Sequence, residues 1–168
     1  LERWAAEEGR AWVWNVAVEG CGYLPDGFVE GFGGEQPLTE QCQTVRDVWA
    51  EQIAHFDPDL VISLSSVFDL ADRRLEAWDE PAGVGDPLFD EYMLEEYEAA
   101  VDTLTATGAD LLWLQPPCAE LRSGQPGQDA TVLDPERIEH INEVILPELV
   151  RRRPDAVELF DLFEVLCP

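Results

Sequence analysis

The chain reads as an α/β domain with a mainly parallel sheet. Two observations predict this. The apolar residues switch repeatedly between a helix-like period and a strand-like one along the chain. Short runs rich in Val, Ile, Leu and Trp also alternate with amphipathic stretches long enough to cross back over a sheet, as in Leu60-Val61-Ile62-Ser63-Leu64 and Asp110-Leu111-Leu112-Trp113-Leu114. At 168 residues and 46% hydrophobic content, the sequence has the size and apolar material of one cored domain.

In chain order, residues 2–10 read as the end of a helix closing near Gly9. Ala11-Trp12-Val13-Trp14-Asn15-Val16-Ala17-Val18 is aromatic and β-branched, the composition of a strand. A Gly-rich loop follows, to about Leu38. Thr39 is placed to cap a helix from about Glu40 to His55, with Val45, Val48, Trp49 and Ile53 on one face. Asp57-Pro58 breaks it before the strand at 60–64. Pro87 to about Gly108 carries the next helix, with Tyr92, Leu94, Tyr97, Ala100, Val101 and Leu104 as its buried stripe. The strand at 110–114 ends at Gln115-Pro116-Pro117, and a polar loop runs through Gly124 to Ala130. Asp134-Pro135-Glu136 is a helix start, with Pro where a missing N–H costs nothing. That helix runs to about Arg152, and Ala156 to Phe160 is the last strand.

Thirty-six acidic residues face ten basic ones, every one of them Arg, for a formal net charge of −26. Such a surface repels phosphate backbones and anionic lipid, so no nucleic-acid partner is expected. The acidity fits adaptation to high salt, and fits better a GC-rich coding sequence, which favours Arg over Lys. No run approaches the roughly 20 apolar residues of a membrane span, so no membrane insertion by this segment is expected. The chain opens in what reads as mid-helix and stops at Leu166-Cys167-Pro168, just after an apolar segment, which suggests a fragment cut at both ends.

In an open parallel sheet, ligands bind beyond the carboxyl ends of the strands. Gly20-Cys21-Gly22 follows the first of these ends and reads either as a backbone donor to an oxyanion or as a plain turn. Ser63, Ser65 and Ser66 sit at the second end, but a nucleophilic Ser needs a base. The two histidines, His55 and His140, fall in helical patterns. Glu95, Glu96 and Glu98 read as a solvated helix face, and Phe28 and Phe32 as loop aromatics available for contacts. No phosphate loop and no zinc-ligand spacing are visible, so no cofactor and no metal is expected.

Cys21, Cys42, Cys118 and Cys167 form no CxxC pair, and an even number at long spacings suits two disulfides. Cys21 and Cys42 bracket the long first loop, where a bridge would contribute roughly 3 kcal/mol. Cys118 and Cys167 both follow strand ends and could meet. The other reading is four buried thiols in a cytosolic protein. The oxidised one carries an extracytoplasmic location with it.

Taken together, these pieces resemble the SGNH (GDSL-type) hydrolases. Asn15 to Gly22 resembles the second sequence block of that family, and Asp59 to Arg73 the third. Ala109 to Cys118 is similar to its fourth strand and loop. Ile141-Asn142-Glu143 and then Val157 to Pro168 resemble the approach to its last block. The nearest flavour is the SGNH domain carried as an extracytoplasmic tail by membrane acyltransferases, mostly of actinobacteria.

The resemblance implies a three-layer α/β/α flavodoxin-like fold. It implies hydrolysis or transfer of acyl groups, O-acetyl esters of cell-surface glycans above all. The partners would be an acylated carbohydrate or small ester, with tethering to a membrane acyltransferase domain. The Gly-Asp-Ser block with the nucleophile and the Asp-x-x-His block are both absent, and are expected just before Leu1 and just after Pro168. Gly20 matches the oxyanion glycine. Ser66-Val67-Phe68, then Asp69, stand where the third block has Gly-x-Asn, so Phe68 lacks the Asn donor. The absent first strand would lie between 11–18 and 60–64, leaving a gap in the isolated chain and low stability. A catalytically inactive relative that binds glycan or a protein partner is the alternative. A flavodoxin-like nucleotide or signalling domain is more distant, for want of a phosphate loop.

Overall fold

The structure is a computed structural model that describes residues 2–9, 11–30, 35–65, 67–118 and 134–167. It is a mixed α/β arrangement built on a small parallel sheet. That sheet has the order β3 (Leu60–Leu64), β5 (Asp110–Leu114), β6 (Glu158–Phe160). Leu60 pairs with Asp110 and Leu64 with Leu114, and Trp113 pairs onward with Leu159. Both parallel crossovers contain helix, as parallel strands require. The first crossover carries α4 (Pro87–Leu104), and the second α5 (Pro135–His140), a π-helical segment (Ile141–Ile145) and α6 (Leu146–Arg152).

The helix starts follow local chemistry. Asp86 accepts the Leu88 N–H and Asp134 the Glu136 N–H, each just ahead of a Pro in the first turn. Thr39 accepts the Cys42 N–H at the start of α2 (Glu40–Gln43). The single helix expected over 40–55 is two. The Thr44 hydroxyl bonds back to the Glu40 carbonyl, and α3 (Val45–Phe56) begins beyond it. Asp57 then closes α3 in the left-handed region, its N–H on the Ile53 carbonyl.

One face of the sheet is the core. Trp113 and Leu111 pack there with Trp49 and Ile53 of α3, Phe89, Met93 and Tyr97 of α4, and Ile145 and Leu149 beyond them. On the opposite face Leu60, Ile62 and Leu64 stay 50%, 44% and 45% exposed, and Phe160 is exposed beside them.

The strand expected at 11–18 is corrected: none of these residues joins a ladder. β-forming side chains hold a strand only where a partner edge is in reach, and β3 is paired on its β5 side alone among the described residues. Asn15 instead turns the chain locally, its Oδ1 accepting the Ala17 N–H. Val16 and Val18 still rest on the core and Trp14 packs against Phe56, while Trp12 is fully exposed.

The loop read between 19 and 38 also holds structure that its composition did not announce. β1 (Phe28–Val29) pairs antiparallel with both β2 (Gln36–Pro37) and β4 (Arg73–Arg74), so this loop and the one after β3 form a second small sheet. At the two ends, α1 (Glu2–Glu8) closes at Gly9, whose N–H bonds to the Ala5 carbonyl, as expected, and α7 (Leu162–Leu166) follows β6 directly. Among the described residues, no helix is long and apolar enough to cross a membrane.

Candidate functional site

The carboxyl ends of β3 and β5 open onto a cavity of about 180 Å³. Leu64 and Pro116 supply the strand side of it. Val67 and Leu70 come from the 3-10 turn after β3 (Val67–Leu70), and Ile138 and Ile141 from α5 and the π segment. Among the described residues lining it, Ser65 alone carries a side-chain oxygen or nitrogen.

The serine hydroxyls at this strand end are engaged. Ser65 Oγ receives hydrogen bonds from Trp113 Nε1 at 3.0 Å and Tyr97 Oη at 3.2 Å, and it is buried. Ser63 Oγ shares a hydrogen bond with the Tyr23 hydroxyl, also buried. Tyr23, Tyr97 and Trp113 pack ring against ring around them, with centroids 4.8–5.4 Å apart. Burial pushes the Tyr23 phenol up to about 12, against the pull of its Ser63 hydrogen bond, and pushes Tyr97 well above the ordinary value. These phenols stay neutral across the physiological range. Ser66 lies outside the described residues.

The walls of the cavity are fixed by charged and amide side chains that face away from it. Asp69 is fully buried and its Oδ1 accepts the Tyr23 N–H at 2.8 Å, which ties the 3-10 turn to the chain after Gly22. Arg73, also fully buried, donates to the carbonyls of Asp26 and Phe68. Burial lowers its guanidinium below the ordinary value, and the nearby Asp69 charge offsets this. Arg137 reaches from α5 to the Leu70 carbonyl at 2.7 Å and to Asp72 at 2.6 Å. Asn142 Nδ2 donates to the Pro116 carbonyl at 2.9 Å, and Gln115 Nε2 donates to the Asn142 carbonyl at 3.2 Å. The π segment thus locks the end of β5.

Gly20 takes φ +81° in a turn closed by the Cys21 N–H on the Val18 carbonyl, and is not among the residues lining the cavity. Phe68 is half-buried, and its carbonyl is one of the acceptors of Arg73. Asp69, read as a residue near the site, sits in the packing behind the 3-10 turn as the acceptor described above.

His140 faces away from the cavity, two positions on from Ile138, with Nε2 2.7 Å from Asp90 Oδ2. His55 is exposed at the end of α3, against Phe56. Phe28 lies under Arg74, whose guanidinium is 5.0 Å from the ring centroid; Phe32 is outside the described residues. Among the described residues, no group of His, Cys, Asp or Glu is placed to hold a metal ion.

The reading of Glu95, Glu96 and Glu98 as a solvated face needs correcting at two positions. Glu96 pairs with Arg46, and Glu98 with Arg152 and Arg153. Arg residues placed 50 or more positions away find these carboxylates, which local spacing does not show.

Cys21–Cys42 and Cys118–Cys167 are disulfides, with sequence separations of 21 and 49. The first fastens the loop after Val18 to α2, and the second joins the end of β5 to the end of α7. The sequence pattern behind the walls was not readable in advance: Arg137, Asn142 and Tyr23 act through partners 26 to 67 positions distant. No model of a known protein family matches the chain, and no curated protein matches it either.

Proposed function

We propose that the chain is part of an SGNH-type ester hydrolase or O-acyltransferase domain acting on acyl esters of cell-surface glycans, O-acetyl among them. The observation that carries this reading is the cavity at the carboxyl ends of two parallel strands, lined by the third-block residues Leu64, Ser65, Val67 and Leu70. That is where an open parallel sheet places its ligand. The order of the block-like segments along the sequence supports it. Two disulfides support an extracytoplasmic setting. The bacterial origin and the tether to a membrane acyltransferase domain rest on the sequence resemblance alone.

In this reading the sheet belongs to a three-layer flavodoxin-like fold. A further strand lies beside β3, and a second helical layer covers Leu60 and Ile62. Chemistry proceeds through a Ser-linked acyl ester. In this reading the nucleophile and the Asp/His pair come from polypeptide outside residues 1–168, where the resemblance puts the Gly-Asp-Ser and Asp-x-x-His blocks; Ser63 and Ser65 are buried against aromatic partners, and His140 does not line the cavity. Gly20 would lend an oxyanion N–H. Without an Asn at Phe68, one donor is lost, which costs about 2.7–4 kcal/mol of barrier where nothing replaces it.

The same missing donor favours the second reading, a catalytically inactive relative that binds glycan or a protein partner. Sequencing the coding region on both sides and assaying the protein it encodes separates the two. A Gly-Asp-Ser block upstream, an Asp-x-x-His block downstream and ester turnover lost on Ser→Ala support the enzyme. Flanks without either block, or binding without turnover, support the inactive module.

A further inference from the structure

We infer that the cavity between the 3-10 turn and α5 binds an uncharged aliphatic group of about six carbons. As a binding site this stands on the cavity; as the acyl arm of an ester it rests on the reading above. Size comes first. An apolar cavity of about 150 Å³ accommodates a ring of six carbons, so the roughly 180 Å³ here is far larger than an acetyl group needs.

The lining decides the chemistry. Leu70, Ile138 and Ile141 form its buried part, and Leu64 and Val67, both partly exposed, its mouth. Among the described lining residues the one hydroxyl, on Ser65, already accepts from Tyr97 and Trp113 and keeps only its own O–H to donate. A sugar, with several hydroxyls, would lose more water partners here than that single donor replaces.

Charge narrows the ligand further. Arg137, on the α5 side, is paired with Asp72, and the chain carries −26 overall. A free carboxylate is therefore repelled, and the aliphatic group arrives on a neutral head such as an ester or alcohol. The walls also resist closing onto the void. Hydrogen bonds hold them from behind: Arg137 to the Leu70 carbonyl, and Asn142 to the Pro116 carbonyl.

A series of 1-alkanols from ethanol to octanol, titrated into the oxidised chain and followed by NMR, tests this. Affinity is expected to rise about fourfold per methylene and to level off near six carbons. The shifted signals should centre on Leu64, Val67, Leu70, Ile138 and Ile141. Val67→Trp fills the mouth and should weaken hexanol at least tenfold with near-ultraviolet circular dichroism unchanged. Val67→Ala, the milder change, should move the plateau to longer chains.

Affinity that climbs steadily to octanol, or is the same in both variants, would be non-specific apolar contact and would overturn the assignment. So would the absence of saturable binding. Alkanol binding with a plateau, but no ester turnover by the complete domain, retires the esterase reading and leaves the aliphatic site standing. Turnover without any plateau does the reverse.

Discussion

The Asp69 carboxylate accepts the backbone N–H of Tyr23 across 46 positions of sequence, with both residues buried. This bond sets where the turn after β3 meets the loop after Val18, and with it one wall of the cavity. It also explains Gly22, where any Cβ would run into the Asp69 carboxylate.

Removing the carboxylate leaves a buried donor without its acceptor. Asp69→Ala strips the Tyr23 N–H of its partner and removes the charge that offsets the burial of Arg73, which keeps the Asp26 and Phe68 carbonyls. A destabilisation of about 1–3 kcal/mol is expected from urea unfolding. Gly22→Ala should also destabilise, through displacement of the same carboxylate. Midpoints equal to wild type in both variants would show that the contact does not hold this corner.

Ser63 and Ser65 act as acceptors or donors to aromatic side chains in this account. Each Ser→Ala change leaves a buried partner unsatisfied and should cost about 1–3 kcal/mol. Ester turnover by the complete domain, measured well below the unfolding temperature, should persist in both. Abolished turnover with wild-type stability would instead make one of them the nucleophile.

Alkaline pH should unfold the protein through its tyrosines. Burial raises all three, with Tyr23 at about 12. The folded state therefore holds these protons more tightly than the unfolded chain, where a phenol titrates near 10. Their contribution is complete below pH 10 and is lost as pH rises through about 12. Tyrosinate absorbance should appear together with loss of structure. Titration of a tyrosine near pH 10 in the folded protein would contradict the burial described.

The arginine seam between α6 and α4 sets the acid limb. Arg151 and Arg152 hold the Glu148 carboxyl down at about 2, and Arg152 lowers Glu91 as well. Lowered carboxyl values add stability that is complete above the unfolded value near 4.5 and is lost as pH falls toward 2. Arg152→Ala, which breaks contacts to Glu91, Glu98 and Glu148, should lower Tm by about 2–4 °C at pH 7. The gap to wild type should narrow at pH 3. A gap that stays constant with pH would assign the loss to packing of the arginine stem.

Each disulfide should contribute according to the loop it closes. For separations of 21 and 49 the expected contributions are about 3 and about 4 kcal/mol. Paired Cys→Ser variants, compared by denaturant unfolding, check the order. Unchanged stability on full reduction would mean that the bridges restrain nothing.

The strands at 60–64 and 110–114 and the starts of α4 and α5 were legible, because each rests on local signals: a short apolar run, or Asp-Pro at a helix start. The cysteine partners were legible from position along the chain. Residues 11–18 misled because β-propensity describes side chains suited to a sheet without supplying the neighbouring strand. The two-residue strands at 28–29, 36–37 and 73–74 carry too few residues to show a period. Of the site, its position at the strand ends was readable. The occupation of Ser63 and Ser65 by Tyr23, Tyr97 and Trp113 depends on contacts 32 to 48 positions apart, and no spacing rule reports those.

Active-site labelling tests for serine chemistry beyond the carboxyl ends of β3 and β5. The protein encoded by the complete reading frame would be treated with a fluorophosphonate and mapped by mass spectrometry. One adduct is expected, on a serine outside residues 1–168, blocked by prior incubation with a hexanoyl ester. A folded protein that takes up no label, or one labelled on Ser63 or Ser65, would contradict it.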